Sequence, residues 1–414
     1  MVLAPFAARS TMRKLQAQGV TAERSCEKLG HATQPRPSAG PLVWLHAASV
    51  GESLSVLALI TRMGQILPTA HFLITSGTAT SAKLVAQRLP PRTVHQFAPL
   101  DAPRPVKRFL NHWQPDAAIF VESELWPQML RRTHLAGARM ALVNARMSEK
   151  TIAFWAEWPR ASRYLFDVFT LILTQNDAMA QNMVRMNAPA DRIARGVNLK
   201  SMSGPLPVDT SALQEVRTTL ADRPIWVASS THEGEESAVL SAHRQLLKRF
   251  PGLCLILAPR HPERGDIVEQ LIASDGLSYR RRSRGEAPGG QVYLADTMGE
   301  LGLWYEMAEI VFLGGSLLPI GGHNPFEVAQ AGAAVLTGNH VAAFAETYAL
   351  LETEGAARII ADGDDLAARV AVLLTDPDEL AAMTSAAQRF TATQDDQLDA
   401  IATRLITALE LDRA

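Results

Sequence analysis

The stretch Leu42-Val-Trp-Leu-His-Ala-Ala-Ser-Val-Gly-Glu-Ser53 sets a short apolar run before small turn residues, and Leu54, Leu57, Leu59 and Ile60 then recur at helical spacing. The apolar residues predict a buried strand, and Gly51-Glu52 opens a helix. Glu52 is thereby placed where a parallel strand hands over to a helix, the edge at which open α/β sheets bind ligands. A carboxylate there can meet substrate and take a proton from a hydroxyl. A plainer reading is a helix-terminal acid favoured by the macrodipole, worth about 0.3–1 kcal/mol.

Outward from this stretch the pattern repeats. Strand-like runs at Val43–Leu45, His71–Ile74, Ala117–Val121, Met140–Val143 and Leu171–Thr174 alternate with helical ones. A second series follows at Ile225–Ala228, Leu253–Leu257, Gln291–Leu294, Ile310–Leu313 and Ala334–Leu336. Such alternation predicts an α/β protein with parallel sheets covered on both faces. About five strands per half imply two Rossmann-like domains, joined at the Gly- and Pro-containing stretch Asn198–Pro207. The expected division is an N-terminal segment 1–40, a first domain 41–200, a second domain 201–385 and a C-terminal helix 386–414 packing back across the domains. The halves also echo one another. Ala48-Ser-Val-Gly-Glu-Ser53 and Ser229-Ser-Thr-His-Glu-Gly-Glu235 each put hydroxyls and a Gly-Glu at a strand-to-helix turn.

Length and composition agree with two cores: 414 residues, 47% hydrophobic and 20% charged. A net charge of −2 gives no electrostatic case for nucleic acid. Cys26 and Cys254 do not form a disulfide framework; Cys254 reads as core, and a reducing compartment is expected. The N-terminus carries a brief apolar patch followed by Arg9, Arg13 and Lys14. It is too short for a span of about 20 residues and reads as a surface terminus or an interfacial anchor.

Further constellations follow strands. In Val121-Glu-Ser-Glu-Leu-Trp-Pro127, Glu122 and Glu124 alternate, so only one is expected to share the inward face; helix capping is the competing reading. Arg146 and Lys150, after Met140–Val143, suit an anionic substrate or a solvated loop. Pro259 and Pro262 stiffen a loop that presents Arg260, whose planar guanidinium suits phosphate. Ile310-Val-Phe-Leu-Gly-Gly-Ser316 is followed by Gly321-Gly-His-Asn-Pro-Phe-Glu327, where Asn324 can cap a helix whose first residue is Pro325. Glycines beside a helix N-terminus let backbone N–H groups approach a phosphate, and Glu327 can accept from ribose hydroxyls. With Asp296-Thr-Met-Gly-Glu300 this suggests a nucleotide site in the second half.

Other features carry less. His232-Glu233 lacks the second histidine of a helical zinc site, and Asp362-Gly-Asp364 reads as a solvated loop. The basic run Tyr279-Arg-Arg-Arg-Ser-Arg284 also reads as a solvated loop. Trp155 and Trp158 read as packing, with lipid contact as the alternative.

Taken in order, the motifs Ser49-Val-Gly-Glu52, Glu122-Ser-Glu-Leu-Trp-Pro127, Asn144-Ala-Arg-Met-Ser-Glu-Lys150, Asn198-Leu-Lys200, Ser230-Thr-His-Glu-Gly-Glu-Glu236, Pro259-Arg-His-Pro-Glu-Arg264, Met298-Gly-Glu300 and Gly321-Gly-His-Asn-Pro-Phe-Glu327 resemble the 3-deoxy-D-manno-octulosonic acid (Kdo) transferases of glycosyltransferase family 30. The resemblance runs from about Leu42 to the C-terminal helices. It implies a GT-B architecture, two Rossmann-like domains facing an interdomain cleft. It also implies a CMP-Kdo donor, a lipid A precursor as acceptor, no metal, and a peripheral place on the cytoplasmic face of the inner membrane.

By the same resemblance Glu52 looks like the general base, and Glu122 and Lys200 look like transition-state stabilisers. Pro259, Arg260, Met298, Gly299, Glu300, Asn324, Pro325, Phe326 and Glu327 fall where the family binds CMP. The chain departs from the family in Ser201-Met202 beside Lys200 and in Phe326 and Val328. It also shows no membrane helix in its N-terminal stretch. Two rivals are another GT-B sugar-nucleotide enzyme, which UDP rather than CMP would protect, and a non-catalytic nucleotide-sugar or lipid-binding protein, which would pass no sugar on.

Overall fold

A computed structural model describes residues 4–196, 198–199 and 206–413. The chain divides into two compact units, Met1–Ser203 with Asp395–Ala414, and Gly204–Gln394. The first is built on β1 (Leu42–His46), β2 (His71–Ser76), β3 (Thr93–Phe97), β4 (Ala117–Val121), β5 (Arg139–Ala145), β6 (Leu171–Thr174) and β7 (Ile193–Arg195). All pairs are parallel, in the order β3-β2-β1-β4-β5-β6-β7, so the winding reverses between β1 and β4. Leu45 lies opposite Ile74 on one side and Ile119 on the other.

Side-chain alternation along β1 feeds two core layers. Val43 and Leu45 pack with Leu59, Ile60 and Met63 of the helix Leu57–Ile66, and with Leu398, Ile401 and Leu405 from the C-terminal end of the chain. Leu42 and Trp44 face the other layer with Phe109, Trp113, Leu130 and Phe166.

The second unit repeats the plan with β8 (Ile225–Thr231), β9 (Cys254–Pro259), β10 (Tyr279–Arg281), β11 (Val292–Leu294), β12 (Ile310–Leu313), β13 (Ala334–Thr337) and β14 (Ala357–Ile359). The order is β10-β11-β9-β8-β12-β13-β14, again parallel throughout, with the reversal between β8 and β12. Trp226, Leu255 and Phe312 fill one layer, while Val227, Ile256 and Val311 fill the other.

Each sheet has seven strands rather than about five. The basic run is also not a loose loop: Tyr279–Arg281 forms β10. Arg281 is buried against Asp296, Asp266 and Glu269, and Arg282 pairs with Glu300 at 2.6 Å. These acids come from elsewhere in the chain and neutralise the arginines where they enter the fold. The last long helix begins at Pro377, earlier than expected, and runs to Ala408. Asp362 caps the helix Gly363–Thr375 through the N–H groups of Asp364 and Asp365. Both cysteines are free; Cys254 is buried, which pushes its thiol up to about 11. The N-terminal stretch forms the helix Ala4–Ala17, which buries Leu15 beside Phe97 and Ala82. Trp155 packs against the core while Trp158 is exposed. No helix among the described residues is long and apolar enough to cross a membrane.

Candidate active site

In the first unit, polar side chains gather at the carboxyl ends of β1, β4 and β5, around the reversal point of the sheet. Glu52 lies in the first turn of the short helix Val50–Ser55, capped by Ser49. Its Oε2 accepts the Ala48 N–H at 2.9 Å and its Oε1 accepts the Ser49 hydroxyl at 2.7 Å. The Glu52 N–H donates back to Ser49 Oγ at 3.3 Å, so the serine caps the helix while the glutamate reaches back to the residue before the cap. Each carboxylate oxygen keeps a second lone pair with which to take a proton. The carboxyl is half-buried, and burial raises its pKa first. The charges of Glu124 and Glu122 push the same way, against the hydrogen bonds from Ser49 and Ala48.

Strict alternation does not run through Glu122 and Glu124: Glu122 takes φ 56°, a left-handed conformation that ends the strand, and the charges of both carboxylates act on Glu52. Glu122 Oε1 accepts from Asn144 Nδ2 at 3.2 Å, and Asn144 Oδ1 accepts the N–H of Leu199 at 3.3 Å. Glu124 is buried and accepts from His46 Nε2 at 3.1 Å and from the indole N–H of Trp126. Burial works to raise its pKa, but the bond and charge of His46 and the bond from Trp126 prevail and hold it low. His46 Nδ1 meets Thr75 Oγ1 at 3.0 Å, and Thr75 Oγ1 accepts the indole N–H of Trp44 at 2.9 Å. Lys200 lies outside the described residues.

The second unit places its cluster at the ends of β8, β9 and β12. Glu235, only 1% exposed, opens the helix Glu235–Leu247. Its Oε2 accepts from the N–H groups of His232 (3.0 Å) and Gly315 (2.7 Å), and its Oε1 from those of Ser316 and Leu317 (both 2.9 Å). The amides just beyond β12 are therefore taken by a carboxylate of the chain itself. Gly314 and Gly315 permit this close approach. A Cβ at Gly314 would lie 2.8 Å from Ser230 O, and Gly315 has φ 69°.

Beside this anchor the rings of His232 and His323 lie parallel, with their Nε2 atoms 2.9 Å apart. Burial, then the charges of His232 and Arg260, bring His323 down to about 4. Non-glycine residues in the left-handed region cost about 1–3 kcal/mol each and gather at functional sites. Glu122, Asn144 and Ser230 are three such residues, at the ends of β4, β5 and β8. Asn144 and Ser230 also sit at register shifts of their strands.

The residues expected to bind nucleotide all belong to this unit and fall into three groups. Pro259 ends β9, and Arg260 follows with an exposed guanidinium that makes no ion pair among the described residues. Met298 is exposed, Gly299 has φ 86°, and Glu300 is held by Arg282 and the Thr297 hydroxyl. Burial opposes that pairing, but Arg282 wins and lowers the Glu300 pKa. Asn324 Oδ1 accepts the Phe326 N–H at 3.2 Å, but the helix begins at Phe326, has five residues and takes Pro325 rather than Asn324 as its N-cap. Pro325 already has helical angles. Phe326 turns its ring into the core against Phe390, and Glu327 in the first turn is half-buried.

His46, Thr75, Asn144, Glu235 and His323 were not singled out from the sequence. The signal for His46 was its place as the last residue of the first strand. Glu235 was visible as half of the Gly-Glu echo and within the motif Ser230–Glu236, with no role attached.

A family model described as 3-deoxy-D-manno-octulosonic-acid transferase (kdotransferase) matches residues 23–203. A probable mitochondrial 3-deoxy-D-manno-octulosonic acid transferase of Arabidopsis thaliana is 35% identical over 328 residues, 77% of this chain and 73% of that one. A 3-deoxy-D-manno-octulosonic acid transferase of Haemophilus influenzae is 33% identical over 349 residues, 83% of this chain and 81% of its own. A glycosyltransferase structure from Rickettsia africae superposes with a TM-score of 0.54 at 13% identity, covering 90% of this chain and 98% of that one, and shares the GT-B fold. With that identity to named relatives over most of its length, the chain belongs to the 3-deoxy-D-manno-octulosonic acid transferase family.

Proposed function

We propose that this protein is an inverting glycosyltransferase that moves Kdo from CMP-Kdo to a sugar hydroxyl of a lipid A precursor, in lipopolysaccharide synthesis at the cytoplasmic face of the inner membrane. Family membership supports the reaction class. The observation that carries the site assignment is the half-buried Glu52 carboxyl at the edge of the first sheet, its pKa raised by burial and by two neighbouring acids. A base poised above the usual carboxylate range is better matched to a hydroxyl proton, and such catalysis is worth about 10²- to 10⁴-fold.

In this reading Glu52 takes the proton as the acceptor oxygen attacks the anomeric carbon of Kdo, and CMP leaves from the opposite face. The bond to the CMP phosphate breaks as the new glycosidic bond forms. Arg260, whose guanidinium is exposed, meets the phosphate charge. Asn324, Glu327 and the Met298-Gly-Glu300 turn hold the nucleoside, with Pro259, Pro325 and Phe326 fixing the backbone around them. Glu122 and Lys200 stabilise the transition state. No step is routed through a metal.

The test is to incubate the protein and its Glu52→Gln variant with CMP-Kdo and a tetraacylated lipid A precursor and read product masses. Wild type is expected to add Kdo. The variant is expected to lose transfer while CMP still protects it against heat. Turnover by the variant close to wild type overturns the role of Glu52.

A further inference from the structure

Trp126 combines exposure with rigid anchorage. It is 44% exposed, yet its indole N–H is spent inward on the buried carboxylate of Glu124. That carboxylate is held by His46 at 3.1 Å, His46 by Thr75 at 3.0 Å, and Thr75 by the indole of the fully buried Trp44 at 2.9 Å. The backbone is fixed as well. Trp126 is the residue before Pro127, which starts the helix Pro127–Leu135, and Asp101 caps that helix through the N–H groups of Gln128 and Met129. A polar chain running into the core thus immobilises an aromatic ring in solvent, beside the acids that act on Glu52. Folding alone does not call for such an arrangement, because a large apolar face left in water contributes nothing to the core.

We infer that the ring of Trp126 is the stacking platform for the acceptor's sugar ring. This rests on the acceptor being the sugar of a glycolipid, as proposed above. The π face of an indole is negative, and the C–H groups on one face of a pyranose are weakly positive and apolar, so the two surfaces attract. Trp supplies this area at little entropic cost because it has only two side-chain torsions, and here the Glu124 bond removes much of even that freedom. A sugar seated on the ring is held at the edge of the sheet where Glu52 lies, and its hydroxyl is oriented for proton transfer. Glu124 is a positioning residue in this scheme; it holds the ring and does not touch the sugar.

The experiment measures acceptor KM and kcat with two acceptors: the tetraacylated precursor and the same phosphorylated disaccharide stripped of its acyl chains. Trp126→Ala is expected to raise the KM for both acceptors about tenfold or more, the size of one lost ring-face contact, with the KM for CMP-Kdo unchanged. Trp126→Phe keeps a flat face and should retain most of the affinity. Glu124→Gln keeps an oxygen for the indole and should stay within a few-fold in acceptor KM, whereas Glu124→Ala should not. If Trp126→Ala melts early, Trp126→Leu, bulky but without a flat face, takes its place. An unchanged acceptor KM overturns the inference. So does a defect confined to the acylated acceptor, which would make Trp126 a lipid contact. If wild-type protein transfers Kdo to neither acceptor, the assignment of function fails instead.

Discussion

A glutamate in the first turn of a helix accepts backbone N–H groups in both units: Glu52 from Ala48, and Glu235 from His232, Gly315, Ser316 and Leu317. Glu235 is sealed and spends both oxygens on four donors, while Glu52 is half-buried and stays reachable. The sequence showed both as a Gly-Glu after a strand, and nothing local told them apart. Three of the four donors that seal Glu235 lie about eighty residues downstream, where only the fold brings them.

The raised pKa of Glu52 has two consequences of known sign. Its active form is ionised, so kcat/KM is expected to fall, as pH drops, at a higher pH than the ordinary carboxylate value of 4.5. Glu124→Gln removes one of the charges that raise it and should move that limb to lower pH, as a pH–rate profile would read. For stability, a raised native pKa gives a contribution that is full below the unfolded value and lost as pH rises through the native one. The melting difference between wild type and Glu52→Gln is therefore expected to shift in favour of wild type as pH is lowered from neutral toward 4.5. A difference that does not move with pH would contradict the raised pKa.

Among the elements, the four strands that pattern reading passed over are β3, β7, β10 and β14, and they are the four edges of the two sheets. Central strands such as β1 and β4 are buried at every residue and read as continuous apolar runs. An edge strand has one neighbour and tolerates charge: Tyr279-Arg-Arg281 and Ala357-Arg-Ile359 carry arginines where a central strand has Val or Leu. Their pairing depends on distant partners rather than on their own periodicity. The strand-end motifs were legible because each closes a central strand with Gly, Pro or acid. The His46–Thr75 and Asn144–Leu199 links were not, because they join different strand ends. Two element-scale outcomes are expected. Glu235→Gln turns an amide NH₂ toward donors already present and should cost on the order of 3 kcal/mol in urea unfolding. Gly314→Ala sets a methyl 2.8 Å from Ser230 O and should likewise lower the melting temperature.

For the whole molecule, the core that Val43 and Leu45 begin is completed by Leu398 to Leu411, far along the chain. Leu405 is fully buried among side chains of β1, β2 and β4, so Leu405→Ala should destabilise that unit by about 3 kcal/mol. Leu350, which is half-exposed, should tolerate the same change with an effect within about 0.5 kcal/mol, as chemical denaturation would show. The two-unit plan was legible from the doubled strand series. That the C-terminal helix packs back was an expectation of the sequence, but that residues Asp395–Ala414 close the first unit in particular was not, because a polar-and-apolar helix shows its period but not its partner.

That closure has a consequence for synthesis. A ribosome delivers Val43 long before Leu398 through Leu411, so one side of the first unit's hydrophobic interior stays open until those later residues emerge. The later-made Gly204–Gln394 unit is one uninterrupted stretch of sequence and can mature while the earlier one waits. The nascent N-terminal half is then the part that needs a chaperone's protection, and a stalled or prematurely stopped chain leaves it sticky rather than half-active.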